Sequence, residues 1–190
     1  MQTSPSGLKP RWSGATRLPE FRVQVRRLRR IYACCMNTLP TPTLKFFADL
    51  SVQVGTPQEV GVTVHGRRRL IPILGGSATG DGWTARVLPG GADFQLIVND
   101  RLAELDARYV MEMDGGDLVY VQNRAVRCGA PDVMAKLVRG EVVDPALIYF
   151  RCTPSFEASS PALAWLSERL FLGTGERRPD QVLMRFFEVN

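Results

Sequence analysis

From Leu44 onward the chain alternates apolar and polar residues in short runs, each ended by a turn. In the first run Leu44, Phe46, Ala48, Leu50, Val52 and Val54 alternate with Lys45, Asp49, Ser51 and Gln53. A period of two belongs to a β-strand with one face buried. The same signal predicts strands at Val60–His65, Arg69–Leu74, Trp83–Leu88, Phe94–Val98, Ala103–Met113, Leu118–Arg124, Ile148–Thr153, Leu170–Leu172 and Val182–Val189. HG, GG, GDG, PGG, ND and DGG separate the runs and supply hairpin turn chemistry. GTG at Gly173–Gly175 also reads as a turn, because it lacks the strand-to-helix setting of a phosphate-binding loop. Turns about ten residues apart suit a sandwich or barrel better than βαβ units. A closed barrel is favoured, since closure removes unpaired edges.

Two helical pieces interrupt the strands. Pro131–Arg139 opens on proline, carries Asp132 in its first turn and stops before Gly140, with Val133, Met134, Leu137 and Val138 as one apolar stripe. Ser160-Pro161 reads as an N-cap and first helical residue of a short helix through Trp165.

The net charge of +5 is unevenly spread. Residues 1–35 hold eight basic residues against Glu20, a net of +7, whereas residues 36–190 hold 16 basic and 18 acidic groups, a net of −2. Nucleic-acid binding is therefore not expected of the folded body. Residues 1–43 are expected to be a disordered basic extension followed by a β-barrel domain over 44–190. The composition breaks at Met36, which suggests that residues 1–35 are either an Arg-rich leader or a start assigned too far upstream. No apolar stretch is long enough for a membrane helix, so no membrane is expected as a partner. Cys34, Cys35, Cys128 and Cys152 form no CxxC pair, which favours a reduced, cytoplasmic setting. His65 is the single histidine and sits at a hairpin turn, so neither a metal site nor a Ser-His-Asp triad is supported, and no cofactor is expected.

Candidate site chemistry centres on AELDARYVME, Ala103 to Glu112. In a strand, Glu104, Asp106, Arg108 and Glu112 share one face and Leu105, Ala107, Tyr109 and Met111 the other. The charged row is either a solvated exterior or an enclosed polar face. Glu104 and Asp106 would stand about 7 Å apart, with room for a bound group and with Arg108 in pairing distance. Asp93, Tyr120, Asn123, Arg151, Glu157 and Trp165 complete the constellation. Asp93 and Gln95 share a face if their strand is regular. Arg67, Arg68 and Arg69 read as a solvated surface cluster rather than an anion site.

GRRRLIPILGG, LPGGADF, AELDARY, VYVQNR, YFRCTPSFE and AWLSERLFLGTGER together resemble the bacterial and fungal domain of unknown function 3237, over Leu44 to Val189. The resemblance implies a soluble, all-β, antiparallel, calycin-like closed β-barrel of about eight to ten strands with one or two short helices, without an established general function. Phe94 stands where the family has an aromatic residue, often Trp, and Cys152 where Thr is common. The distinctive blocks favour the enclosed reading and make Asp93, Asp106, Arg108, Tyr120, Asn123, Arg151 and Glu157 the candidate ligand-binding residues. The leading expectation is a barrel that binds a small organic molecule around Asp106 and Arg108. A cofactor-independent isomerase, cyclase or lyase using a pocket carboxylate is the alternative. A structural module or homo-oligomer without a small-molecule site is the third.

Overall fold

The computed structural model describes residues 39–190. The basic extension and the expected start at Met36 fall almost wholly outside the described residues. Ten strands form one antiparallel sheet: β1 (Leu44–Val54), β2 (Gln58–Thr63), β3 (Gly66–Gly80), β4 (Trp83–Val87), β5 (Ala92–Ile97), β6 (Leu102–Met113), β7 (Leu118–Gly129), β8 (Ile148–Ala158), β9 (Phe171–Arg177) and β10 (Gln181–Val189). Neighbours run β1-β10-β9-β8-β7-β6-β4-β3, and β1 pairs again with β3, which closes an eight-membered ring. β5 takes the place of β4 between β3 and β6 further along the barrel, and β2 pairs with β3 alone.

The long strand β3 makes this sharing possible. Its first half, Arg67 to Pro72, pairs with β5, while Gly76 to Gly80 pairs with β4. The change of partner falls at Gly75-Gly76, whose φ angles of +146° and +148° suit glycine. A Cβ on Gly76 would collide with the Ser51 carbonyl oxygen of β1. The GG pair is thus a corner within one strand and not the end of a strand.

Two other expectations change for similar reasons. GTG lies inside β9: Gly173 and Gly175 turn inward, where a Cβ would stand 2.7 Å from Cys152 Sγ or from the Phe150 ring. In β1 the register slips between Phe46 and Ala48, a bulge that turns Phe47 toward the interior and leaves Phe46 outside. The helix α1 spans Pro131–Val138 and buries Met134 and Leu137. Pro161–Glu168 is a 3₁₀ helix rather than an α-helix, and buries Leu166. A short 3₁₀ turn at Pro145–Leu147, capped by Asp144 accepting from the Ala146 N–H, was not signalled by periodicity.

The two ends of the barrel interior differ. At one end Phe47, Trp83, Phe156, Trp165 and Phe171 pack at centroid distances of 4.8–6.3 Å, and Phe186 lies 6.2 Å from Phe156. Such tilted and edge-on contacts close that end with apolar mass. Toward the other end the inward rungs become polar, and there the candidate site lies.

Candidate functional site

Cross-strand register decides what faces the lumen. The rung Ile71–Asp93–Ala107–Asn123–Pro154 runs around one side of the barrel, and beside it runs Arg69–Gln95–Leu105–Ala125–Cys152. The next rung brings in Ala103, Arg127 and Phe150. Asp93, Gln95, Tyr109, Asn123, Arg127 and Arg177 line one cavity of about 50 Å³, whose remaining walls are mainly Val, Ile, Leu, Met and Phe side chains. Ala107 and Ala125 stand between the polar strands and leave the space.

Of the expected residues, Asp93 and Asn123 reach this cavity. Asp106, Arg108, Tyr120, Arg151 and Glu157 do not. The AELDARY strand faces the other way: Leu105, Ala107 and Tyr109 point inward, and Glu104, Asp106 and Arg108 point outward. Arg108 Nη2 donates to Asp106 Oδ2 at 2.8 Å, and Gln122 Nε2 donates to Asp106 Oδ1 at 2.9 Å on the same outer surface. Burial alone would raise the Asp106 carboxyl, but the hydrogen bonds from Arg108 and Gln122 hold it below its ordinary value. Tyr120 lies opposite Glu157 across β7 and β8, both exposed. Arg151 lies 5.0 Å over the exposed Tyr149 ring. The physical reason is desolvation. An inward charged row would take several ions out of water with too few partners, whereas an outward row stays hydrated.

The lumen instead draws its polarity from other strands. Arg69 Nε donates to Gln95 Oε1 at 2.8 Å, and Gln95 Nε2 donates in turn to Asp93 Oδ2. Arg69 is thus buried (5 % exposed) and is not part of a solvated cluster with Arg67 and Arg68, which are exposed. Burial raises the Asp93 carboxyl above its ordinary value, opposed by the Gln95 hydrogen bond and the Arg127 and Arg69 charges. Asp93 as a residue is half-buried, yet its Oδ1 is shut off from solvent and has no partner. Asn123 Oδ1 is in the same condition. Arg127 is 1 % exposed, its Nε and Nη2 have no partner, and its guanidinium lies 5.8 Å from the Phe150 ring centroid. Burial lowers it to about 10, with repulsion from Arg69 and Arg177 adding to the shift, so it stays cationic at neutral pH. Arg177 is held at the rim by donating to the carbonyls of Pro179 (3.1 Å) and Gln181 (3.2 Å).

Cys152 faces inward from β8, and burial pushes its thiol up to about 12, which leaves it a poor nucleophile. Cys128 and Cys152 are both free. Among the described residues no three His, Cys, Asp or Glu side chains converge as a metal site, and no helix is long and apolar enough to cross a membrane.

Arg69, Arg127 and Arg177 were missed, though each keeps step with the apolar face of its strand. Arg127 follows Val119, Val121, Asn123 and Ala125 at intervals of two, and Arg69 precedes Ile71 and Ile73.

The model of a family described as a protein of unknown function (DUF3237) matches residues 42–189. The chain belongs to that family. A relative from Rhodopseudomonas palustris is 44% identical over 151 residues, which cover 78% of this chain and 99% of the relative. Its crystal structure, described as that of a conserved protein of unknown function, matches with a TM-score of 0.75 over 80% of this chain and 100% of that one. A β-barrel-like protein from Acinetobacter baumannii, 35% identical, matches with a TM-score of 0.71 over 80% and 99%. An enzyme from Penicillium herquei shares the fold at 17% identity and a TM-score of 0.59, over 80% and 98%.

Proposed function

We propose that this DUF3237 barrel binds a small organic molecule in its lumen, in contact with Asp93, Asn123 and Arg127. One observation carries the reading: four buried polar atoms on these three side chains lack partners, and all three side chains line one cavity. Buried polar groups are nearly always satisfied, and each orphan costs roughly 1–3 kcal/mol. Several orphans around one cavity are what a binding site leaves unpaired until its ligand arrives. This reading replaces the pocket expected around Asp106 and Arg108, which lie on the outer face, with one in the barrel interior.

The test is an NMR titration with small carboxylates, amides and alcohols, repeated on Ala107→Leu. That substitution fills the cavity without replacing a polar side chain. Binding that shifts the Asp93, Asn123 and Ala125 amides and disappears in Ala107→Leu is the expected result. Shifts confined to the outer face, or unchanged in the variant, would sink the reading.

Asp93 favours a second reading, a cofactor-independent isomerase, cyclase or lyase. A carboxyl raised by burial, with one oxygen free and facing a cavity, is suited to accept or deliver a proton. Deuterium uptake at the α-carbon of a bound keto acid, lost in Asp93→Asn, is the measurement that would establish it. Binding without exchange leaves the lumen a binding site alone.

A further inference from the structure

We infer that the ligand class of this lumen is a small hydroxy acid: its carboxylate on the Nε–Nη2 edge of Arg127, its hydroxyl donating to Asn123 Oδ1 beside the Asp93 carboxyl. The inference rests on the lumen-binding reading above and names the chemistry which that reading leaves open.

Charge comes first. Arg69, Arg127 and Arg177 stand against Asp93 as the ionisable carboxyl in the lumen, an excess of positive charge in a place largely closed to water. Arg69 donates through Nε to Gln95, and Arg177 through both Nη groups to rim carbonyls, so each guanidinium is tied to a neighbour while its charge still contributes. Arg127 differs. Among the described residues no ion pair reaches it, and the two unpaired nitrogens, Nε and Nη2, lie on one edge of the planar guanidinium. Two parallel N–H donors on one edge match the two oxygens of a planar carboxylate. Phe150 lies beside the same guanidinium.

The unpaired acceptors select the rest of the molecule. Asn123 Oδ1 and Asp93 Oδ1 lack donors. An ammonium would supply donors, but it would add a cation to a lumen that already has an excess of them. A hydroxyl supplies a donor with no charge. Asn123 and Asp93 sit on one rung with Ala107 between them, so a single hydroxyl projecting over that alanine faces both strands.

Size sets the scale. A cavity of about 50 Å³ is a third of the ~150 Å³ that takes a benzene ring, so only the smallest hydroxy acids are candidates, and the lumen side chains must yield to seat one. Acids of about two or three carbons are therefore the ones to test. Sites that hydrogen-bond a substrate hydroxyl discriminate strongly against the analogue that lacks it, because buried acceptors are then left unpaired.

The experiment is calorimetric and NMR titration of the full chain with five probes: lactate, propionate, lactamide, alanine and inorganic phosphate. Lactate is expected to bind at least tenfold tighter than propionate, which lacks the hydroxyl, and tighter than lactamide, which lacks the charge. Alanine and phosphate are expected to bind more weakly than lactate. In Arg127→Met the preference for lactate over lactamide should vanish. In Asn123→Leu the preference for lactate over propionate should shrink. Circular dichroism and a denaturation midpoint on each variant separate loss of binding from loss of fold, and the lactamide titration gives a second readout on Arg127→Met. Lumen binding of lactamide, alanine or phosphate as tight as that of lactate overturns the hydroxy-acid class and leaves the lumen reading standing. No lumen binding by any of the five overturns both.

Discussion

At the residue scale, carboxylates near arginines on this barrel have opposite fates according to the face they occupy. Asp106 points outward, bonded by Arg108 and Gln122, and its ion pair is hydrated. Exposed pairs of this kind contribute little. Arg108→Met is therefore expected to leave the urea midpoint unchanged within error; a clear loss of stability would mean that the outer network matters more than its exposure implies. Asp93 points inward, and its raised pKa makes stability depend on pH with the opposite sign from Asp106. A carboxyl that binds its proton more tightly in the folded state contributes most below the ordinary carboxylate value. That contribution fades as pH rises through the raised folded value. Asp106 and Asp49, both lowered, contribute above the ordinary value and lose it as pH falls through their folded values. For Asp93 the facing groups are Gln95, Arg69, Arg127, Arg177 and the backbone N–H of Asp106. The stability of Asp93→Asn relative to the native chain should rise as pH goes from about 4 to 7. Urea titrations across that range read it directly, and a difference independent of pH would contradict the assignment.

At the element scale, alternation was a reliable guide to where strands lie and a poor guide to which face is inside. The ten runs expected from the period-two pattern correspond to β1–β10, because apolar alternation and hairpin glycines act locally. Facing failed where polarity is inverted. In β5, Asp93 and Gln95 face the lumen while Phe94 is 46 % exposed, so no rule of apolar side inward could orient it. In β6 the apolar face was the inner one, as that rule would have it. The charged row drew the expectation outward, away from the cavity that the structure encloses. Register, which decides both cases, is set by partners far away in sequence. The GG and GTG segments failed for a related reason: glycine signals a turn locally, but here it makes room. Gly173→Ala would place a methyl 2.7 Å from Cys152 Sγ and Phe186 Cδ1 and 3.0 Å from the Arg185 carbonyl oxygen. Overpacking of this kind costs roughly 1–3 kcal/mol. Gly115→Ala, with nothing within 4 Å, is the control. Denaturation midpoints should fall for the first and stay put for the second; equal effects would show that β9 yields more easily than its packing suggests.

At the scale of the whole molecule, the barrel divides its work between an end packed with aromatic rings and a lumen that carries unpaired charge. Phe156 and Phe186, at most 1 % exposed, belong to the first part. Arg127, equally buried, belongs to the second. A buried cation without a salt-bridge partner is a stability cost that a purely structural barrel has no reason to keep, since an apolar residue of similar length would fill the same volume. Replacing buried ionic groups by well-packed apolar ones is often neutral or stabilising by about 1–4 kcal/mol. Arg127→Met is accordingly expected to raise the denaturation midpoint of the unliganded protein while removing its preference for anions. Stability and binding would then move in opposite directions through one side chain, as they do where a site is kept at the expense of the fold. If Arg127→Met instead destabilised the barrel by several kcal/mol, the guanidinium would be holding the lumen together through its contact with Phe150 and its attraction to Asp93. Its unpaired donors would then be a by-product of packing, not an invitation to a ligand. Thermal and urea denaturation of the two proteins, run without ligand and again with one fixed concentration of lactate, separates these outcomes: lactate should stabilise the native chain clearly more than it stabilises Arg127→Met.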